Sequence, residues 1–194
     1  VSGLKYRTVG LAADLFQAMG ASVAQLPGGE IVPAMERGVI DAFEFNNPTS
    51  DMRFGAQDVA KNYMLASYHQ ASESFEYIFN KDKFESLDPD LQAILRYGVE
   101  AAHLANFAYA MDQYSSDLQK LQTENGVNVK RTPDSVLQAQ LEAWDKIMPP
   151  LMEDEFFAKV VDSQKKWVER VVFYSLQNSP DYRMAYNHYF PGKL

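Results

Sequence analysis

The first third of the chain alternates between short stretches with strand-like and helix-like spacing of apolar residues. "LKYRTV" (4–9) alternates between two faces, as in a strand, and "LAADLFQAM" (11–19) has apolar residues at helical spacing. Two further strand-like stretches, "SVAQL" (22–26) and "VIDAFEF" (39–45), flank the helical "EIVPAMER" (30–37). This alternation predicts βαβ units on a small parallel sheet, and therefore an α/β fold.

The remainder of the chain has mainly helical patterns. The expected elements are a strand at 74–80, a long helix over 89–123, a strand at 127–131, a helix from 132 that is broken at Pro149-Pro150, a helix over 154–176 and a short helix from 179. We therefore expect three regions: an α/β lobe (1–72), a crossing strand with a long helix (73–130) and a C-terminal helical region (131–194). A parallel sheet with so few strands needs partners for its edges.

Composition and motifs exclude several functions. The net charge of −8 repels phosphate backbones and argues against nucleic acid binding. The chain has no cysteine, which excludes disulfides, thiolate metal sites and cysteine nucleophiles. No common catalytic or phosphate-binding motif is present. An enzyme would have to use Asp41 or Glu44 as a base, but on a strand these point to opposite faces. A purely structural interaction module is a third class.

Three polar residues near strand ends suggest ligand chemistry. Arg7 lies on the first strand, and its planar fork can bind a carboxylate bidentately; a surface ion pair is the alternative. Glu44 and Gln70 carry oxygens that suit a hard cation such as Ca²⁺ or Na⁺. The alternative is that Glu44 faces solvent and Gln70 is an ordinary loop residue. His69, which we expect at a strand start, is a further candidate.

The order of motifs in "GLKYRTVGLAADLFQAMGASVAQLPGGEIVPAMERGVIDAFEFNNP" resembles the extracytoplasmic solute-binding proteins (DctP-like) of tripartite ATP-independent periplasmic (TRAP) transporters. The shared features are G-L-K-x-R on a strand, P-G-G-E-I, a helix ending E-R-G-V-I-D-A, and an acid at the strand end with a proline soon after. "YIFNKDKFESLDPDLQAIL" and the long helix behind it are similar too. The resemblance implies a periplasmic-binding-protein-like fold, with two α/β domains around a cleft.

The resemblance also implies a set of binding residues. The arginine of G-L-K-x-R, here Arg7, would hold the substrate carboxylate. In the branch that binds 2-oxo acids or lactate, a metal ion bridges protein and substrate, which would make the Glu44 carboxylate, the Phe45 carbonyl and Gln70 metal ligands, with Na⁺ or Ca²⁺ as the ion. Phe45 replaces an expected tryptophan and changes the pocket wall. Asn47 and His69 complete the expected substrate-binding residues.

The function implied by the resemblance is capture of a small monocarboxylate, such as pyruvate or lactate, for uptake without chemistry. A metal-free dicarboxylate or sugar-acid binder that uses Arg7 and Asn47 is the alternative. The implied location is the periplasm, and the implied partners are the TRAP membrane subunits. Family members carry a further segment before G-L-K-x-R, so we expect this chain to correspond to the C-terminal portion. Association with the N-terminal half or with a second copy is therefore expected.

Overall fold

The computed structural model describes residues 1–70 and 74–194. These residues form two compact units, Val1–Lys146 and Ile147–Leu194. The division into three regions that we expect from the sequence, with boundaries after residues 72 and 130, stays a prediction. Within the described residues, no helix combines the length and the apolar character needed to cross a membrane.

The first unit begins with the predicted parallel sheet. Its strands are β1 (Lys5–Arg7), β2 (Ser22–Ala24) and β3 (Ala42–Phe43), in the spatial order β2-β1-β3. The crossovers contain α1 (Leu11–Ala18), a 3₁₀ turn (Gly28–Glu30) and α2 (Ile31–Glu36). The central strand therefore has a parallel neighbour on each side, and all three carboxyl ends lie at one edge of the sheet.

The core of this sheet lies under α2. Ile31, Ala34 and Ile40 are buried together, and Phe43 and Phe45 pack against them. The core thus extends directly to the residues that follow β3. Apolar anchors on both sides of Glu44 fix the backbone at that point in the chain.

Beyond Phe45 the chain forms α3 (Pro48–Arg53) and α4 (Ala56–Val59), which agrees with the short helical signals in that stretch. It continues into β4 (Asn62–Leu65), which the sequence analysis missed. β4 pairs in parallel with β5 (Asn128–Arg131) in a second, two-stranded sheet. Its partner therefore lies more than 60 residues away along the chain, so the pairing that makes β4 a strand is not local.

The long helix is confirmed as α6 (Pro89–Thr123), preceded by the short α5 (Lys81–Glu85). α6 packs against α3, the helix that follows the Glu44 segment. Its buried residues are Ala110, Asp117 and Leu121. α7 (Asp134–Leu151) follows β5 and buries Leu137, Gln140 and Ala143 on one face.

Two secondary-structure predictions are wrong, and a third differs from the structure by one residue. Residues 74–80 form neither helix nor strand and are exposed, because alternation alone cannot make a strand without a neighbouring strand to bond with. The helix break expected at Pro149-Pro150 is found one residue later, because both prolines lie inside the last turn of α7, which ends at Leu151. A proline removes a donor to the preceding turn, so these two residues limit the helix without interrupting it earlier. His69 follows β4 and does not begin a strand.

The second unit is helical. It contains α8 (Glu155–Asn178), capped by the Asp154 side chain, and α9 (Tyr182–Tyr189), capped by Asp181. Many of its large apolar side chains are exposed: Phe156, Trp167, Phe173, Tyr174, Tyr182, Tyr186, Tyr189 and Phe190. Exposed apolar side chains of this kind favour association. Association with a second copy stays a prediction.

Candidate functional site

Arg7 occupies the carboxyl end of the central strand and is only 5% exposed. In the register of the sheet it lies opposite Ala24 on β2 and Phe43 on β3. Its Nε donates to the Leu26 carbonyl at 2.8 Å, and its Nη1 donates to the Glu44 carbonyl at 2.7 Å. The guanidinium therefore joins the chain segments that leave both neighbouring strands. Within the described residues, Nη2 makes no hydrogen bond, so its N–H groups are the part of the fork that a ligand could reach.

Glu44 follows β3 immediately, and its amide still donates to the Arg7 carbonyl at 3.0 Å, as in a continued ladder. One carboxylate oxygen, Oε1, accepts a hydrogen bond from Arg7 Nη1 at 3.0 Å. The other, Oε2, lies 3.8 Å from His69 Nε2 and accepts no hydrogen bond from the described part of the chain. Both side chains of the Arg7–Glu44 pair are nearly buried, at 6% and 11% exposure. The pair is therefore an internal one, and the surface ion pair is ruled out.

Phe45 forms the apolar wall of this site. Its ring stacks edge-on against Phe54 with centroids 4.8 Å apart, and the Arg7 guanidinium carbon lies 6.0 Å from its centroid. A Cβ on Gly28 would come within 2.8 Å of the Phe45 ring. The glycine of the P-G-G-E turn is therefore required because the aromatic ring approaches its backbone so closely.

His69 approaches Glu44 from the segment after β4. Its ring contacts Phe16, with centroids 5.5 Å apart, and Phe16 in turn contacts Tyr6 at 4.4 Å. Burial, followed by the nearby Glu44 carboxylate, raises the pKa of Tyr6 far above the ordinary value for a phenol, although Arg7 opposes this shift. The Tyr6 phenol therefore stays neutral beside the ion pair at any physiological pH.

The structure brings Arg7, Glu44, Phe45 and His69 together. Asn47 also has a structural role. Asn47 is buried and caps α3, with its side-chain oxygen accepting from the Ser50 amide at 2.9 Å. This local bond explains how the strand ends and the chain turns after Phe45. The substrate-binding role expected of Asn47 stays a prediction.

The metal site expected at Glu44, Phe45 and Gln70 can be tested against the donors present. Gln70 is exposed and makes no hydrogen bond to the site within the described residues. Across those residues, no group of three or more His, Asp or Glu side chains could hold a metal. A cation here would therefore depend on the Oε2 oxygen of Glu44 and on carbonyl and amide oxygens. Such a set of oxygens fits a hard cation, with coordination positions left for a ligand.

Sequence reasoning missed two residues behind His69. Gln140 on α7 is 2% exposed, accepts from the Tyr68 amide at 2.9 Å and donates to the Ser67 hydroxyl at 2.7 Å. Ser67 is hydrogen-bonded to His69 Nδ1. The available signal was a glutamine on the apolar face of an amphipathic helix, at the spacing of Leu137 and Ala143.

Comparison with known proteins identifies the family. Residues 1–159 match the family described as bacterial extracellular solute-binding protein, family 7. The chain belongs to this family. The proteins of this family bind solutes for transport, so the prediction that the chain is not an enzyme is confirmed.

A curated relative is the monocarboxylate 2-oxoacid-binding periplasmic protein of Nostoc sp. (strain PCC 7120), which is 25% identical over 186 residues. That alignment covers 94% of this chain and 50% of the relative. The chain therefore spans about half the length of this relative. The resemblance seen in the sequence motifs to this group of binding proteins is confirmed.

Two crystal structures of TRAP periplasmic solute-binding proteins share the fold. The protein from Colwellia psychrerythraea, with bound calcium and pyruvate, matches with a TM-score of 0.84 and 26% identity, over 97% of this chain and 57% of that chain. The protein from Pseudoalteromonas atlantica T6c, with bound sodium and pyruvate, matches with a TM-score of 0.82 and 28% identity, over 97% and 56%. The predicted fold class, an α/β periplasmic-binding-protein-like fold, is confirmed.

Proposed function

We propose that this chain carries the ligand-binding edge of a TRAP solute-binding protein that captures a small monocarboxylate, a 2-oxo or 2-hydroxy acid such as pyruvate or lactate, together with Na⁺ or Ca²⁺. The observation that carries the proposal is the buried Arg7–Glu44 pair at the carboxyl end of a parallel sheet. Ligands of open α/β folds bind at this edge. We further propose a periplasmic location and delivery of the ligand to the membrane subunits.

The Nη2 group of Arg7, which no described residue bonds, supports recognition of a carboxylate. Its Nε and Nη1 are fixed by the backbone carbonyls of Leu26 and Glu44, so the guanidinium is held in one orientation before any ligand arrives. A carboxylate at Nη2 would gain a charge-assisted hydrogen bond without the cost of ordering this side chain. Such a charge-assisted bond to a buried arginine favours a carboxylate over a neutral acceptor.

The charge balance of the site favours a cation with the acid. Arg7 and Glu44 together are formally neutral, so a monocarboxylate would bring one uncompensated negative charge into a nearly buried place. The Oε2 oxygen of Glu44, the Phe45 carbonyl and Gln70 would hold the cation, which would supply the compensating charge. The calcium and sodium bound beside pyruvate in the two related structures support this pairing.

The test measures pyruvate binding by calorimetry on the full-length protein. Glu44→Gln keeps an oxygen for Arg7 but removes the negative charge, so we expect pyruvate affinity to fall about tenfold or more. Removing sodium and adding EDTA should weaken binding in the unchanged protein and have little further effect in Glu44→Gln. The matched control is Asp41→Asn, since Asp41 is an exposed carboxylate of the same segment, paired with Lys5.

Two results would contradict the proposal. Unchanged pyruvate affinity after removal of sodium and divalent ions would favour the metal-free reading, in which a dicarboxylate or sugar acid binds through Arg7 and Asn47. An equal loss in Asp41→Asn and Glu44→Gln would mean that only the overall charge of this face matters.

A further inference from the structure

The segment 66–69 after β4 is held in an unusual conformation by α7. Ala66 has a φ of 69°, in the left-handed region that an alanine rarely adopts. Such a backbone is unfavourable for a residue with a side chain and persists only when neighbouring groups enforce it. Two α7 side chains do so, because Gln140 bonds to the Tyr68 amide and the Trp144 indole donates to the Tyr68 carbonyl at 2.9 Å. His69 follows this turn, and its Nε2 lies 3.8 Å from Oε2 of Glu44.

The orientation of the Gln140 amide follows from its partners. The Tyr68 backbone N–H can only donate, so the atom that it meets at 2.9 Å must be the oxygen of Gln140. The amide nitrogen of Gln140 therefore faces the Ser67 hydroxyl, 2.7 Å away, and can only donate to it. One lone pair of the Ser67 oxygen is thus occupied.

The Ser67 hydroxyl in turn determines which nitrogen of His69 carries the proton. Its oxygen also lies 3.4 Å from the His69 backbone N–H, so both of its lone pairs face donors. The hydroxyl proton then remains for the third neighbour, Nδ1 of His69. A neutral imidazole that accepts at Nδ1 carries its own proton on Nε2.

Within the part of the chain that the structure describes, the Nε2 donor of His69 lies unused beside the proposed ligand site. Its nearest charged neighbour, Oε2 of Glu44, is 3.8 Å away, which is beyond hydrogen-bonding distance. The His69 side chain is 14% exposed, so this donor has little access to water. Within the described residues it has no hydrogen-bond partner, which leaves it to a ligand oxygen.

We infer that Gln140 and Ser67 are positioning residues that hold the His69 ring as a donor at Nε2, and that this donor bonds the keto oxygen of a 2-oxo acid, which the opposite tautomer would repel. The inference rests on the proposed function, because it assumes that an acid binds beside Arg7 and Glu44. A keto oxygen can only accept, whereas a 2-hydroxyl group can also donate. Loss of the Ser67 hydroxyl would let the ring carry its proton on Nδ1, and Nε2 would then repel a keto oxygen but accept from a hydroxyl.

The first measurement is the tautomer itself, by long-range ¹H–¹⁵N NMR of the ligand-free, full-length protein. His69 should be protonated on Nε2 and not on Nδ1, as the hydrogen bonds of Ser67 require. The His69 signals are assigned by their loss in His69→Asn. Ser67→Ala should raise the Nδ1-protonated fraction, and Ser67→Thr should restore the original pattern. The control Ser115→Ala should leave it unchanged, since among the described residues the Ser115 hydroxyl bonds within its own helix.

Gln140→Glu gives the sharper variant. The introduced carboxylate can accept from the Tyr68 amide, but it attracts the Ser67 proton and so takes it from His69. The Nδ1-protonated form should then increase although the segment remains attached to α7. Gln140→Met serves as the second variant, because it places no charge in this buried position, and it should change the tautomer in the same direction.

The second measurement is the ratio of pyruvate to lactate affinity by calorimetry. Ser67→Ala should lower this ratio about fivefold, the effect of one neutral hydrogen bond, and Ser67→Thr should restore it.

A His69 ring already protonated on Nδ1, or a tautomer unaffected by Ser67→Ala, would overturn the inference while leaving the proposed function intact. An unchanged affinity ratio with a changed tautomer would overturn the keto-oxygen assignment. Failure of the unchanged protein to bind pyruvate would instead count against the proposed function, and the NMR result would stand.

Discussion

Glu44 and Asp117 are both largely buried carboxylates of the first unit, and their surroundings differ. Asp117 on α6 accepts from the Thr49 hydroxyl and the Gln113 amide at 2.8 Å each, and from Lys120 at 2.9 Å. Those bonds, from Gln113 first and Lys120 next, lower the pKa of Asp117 to about 2. Glu44 has one oxygen bound to Arg7 and one oxygen without a hydrogen bond from the described residues.

The difference separates a structural acid from one suited to a ligand. Both oxygens of Asp117 are bonded, and the Thr49 bond joins α6 to α3, so this carboxylate stabilises the packing of two helices. A buried oxygen that lacks a donor is unfavourable unless something else binds there. The incomplete shell of Glu44 is therefore the feature that a cation and an acid would complete, and each variant below tests one side of this comparison.

The largest expected effect is on ligand affinity in Arg7→Lys. Lysine keeps the charge but has one nitrogen where arginine has a fork, so it cannot hold the Leu26 and Glu44 carbonyls and a ligand carboxylate together. We expect pyruvate affinity, measured by calorimetry on the full-length protein, to fall by on the order of 2 kcal/mol or more, which is about thirtyfold.

The control for this change is Lys5→Ala on the same strand, where an exposed lysine pairs with Asp41 and should contribute little. Thermal unfolding of both variants separates lost binding from lost folding, since Arg7 also joins neighbouring segments. Near-native affinity in a well-folded Arg7→Lys protein would mean that Arg7 only stabilises the sheet and does not bind the ligand.

The next effect is on stability, at the other carboxylate. Asp117→Ala leaves the buried Thr49 hydroxyl without its partner, so we expect the free energy of unfolding to fall by about 1–3 kcal/mol. Asp117→Asn keeps an oxygen for Thr49 and Gln113 and loses mainly the half-exposed Lys120 pair, so it should cost clearly less. Urea denaturation measures both.

Pyruvate affinity provides the contrast within the same variants. Asp117→Asn should leave it unchanged, whereas Glu44→Gln should weaken it with a smaller loss of stability than Asp117→Ala. If Asp117→Asn weakens pyruvate binding as much as Glu44→Gln does, the division between a structural and a ligand-binding carboxylate is wrong.

Much of the fold and part of the site could be predicted from the sequence, because the signals are local. The βαβ alternation and the long α6 follow from periodicity, and the position of Arg7 and Glu44 at one sheet edge follows from parallel pairing. β4 could not be predicted, since it depends on β5 more than 60 residues later. The strand expected at 74–80 failed for the same reason, because strand formation depends on a partner.

The residues behind the site depend on contacts between distant segments. Gln140 and Ser67 meet across 73 residues, and Asp117 and Thr49 meet across 68. Periodicity reports only that Gln140 and Asp117 are polar residues on buried helix faces. A polar residue on a buried helix face indicates a buried hydrogen-bond partner. It identifies neither that partner nor the His69 tautomer or the Asp117 pKa that results.

The smallest expected effect is the response of the Asp117 cluster to acid. The pKa of the Asp117 carboxyl, about 2 in the folded protein, lies below the ordinary aspartate value of about 3.9 in the unfolded chain. A lowered pKa means that the stabilisation is fully present above about pH 4 and is lost as the pH falls toward about 2.

Asp117→Asn has no proton to take up at this position. The difference in Tm between the unchanged protein and Asp117→Asn should therefore stay constant above about pH 5 and shrink between about pH 4 and pH 2. Because all other carboxylates are shared, their titration cancels in this difference. A Tm difference that is the same at about pH 2.5 as at pH 6 would show that Asp117 is not stabilised as a carboxylate, and its contrast with Glu44 would then rest on burial alone.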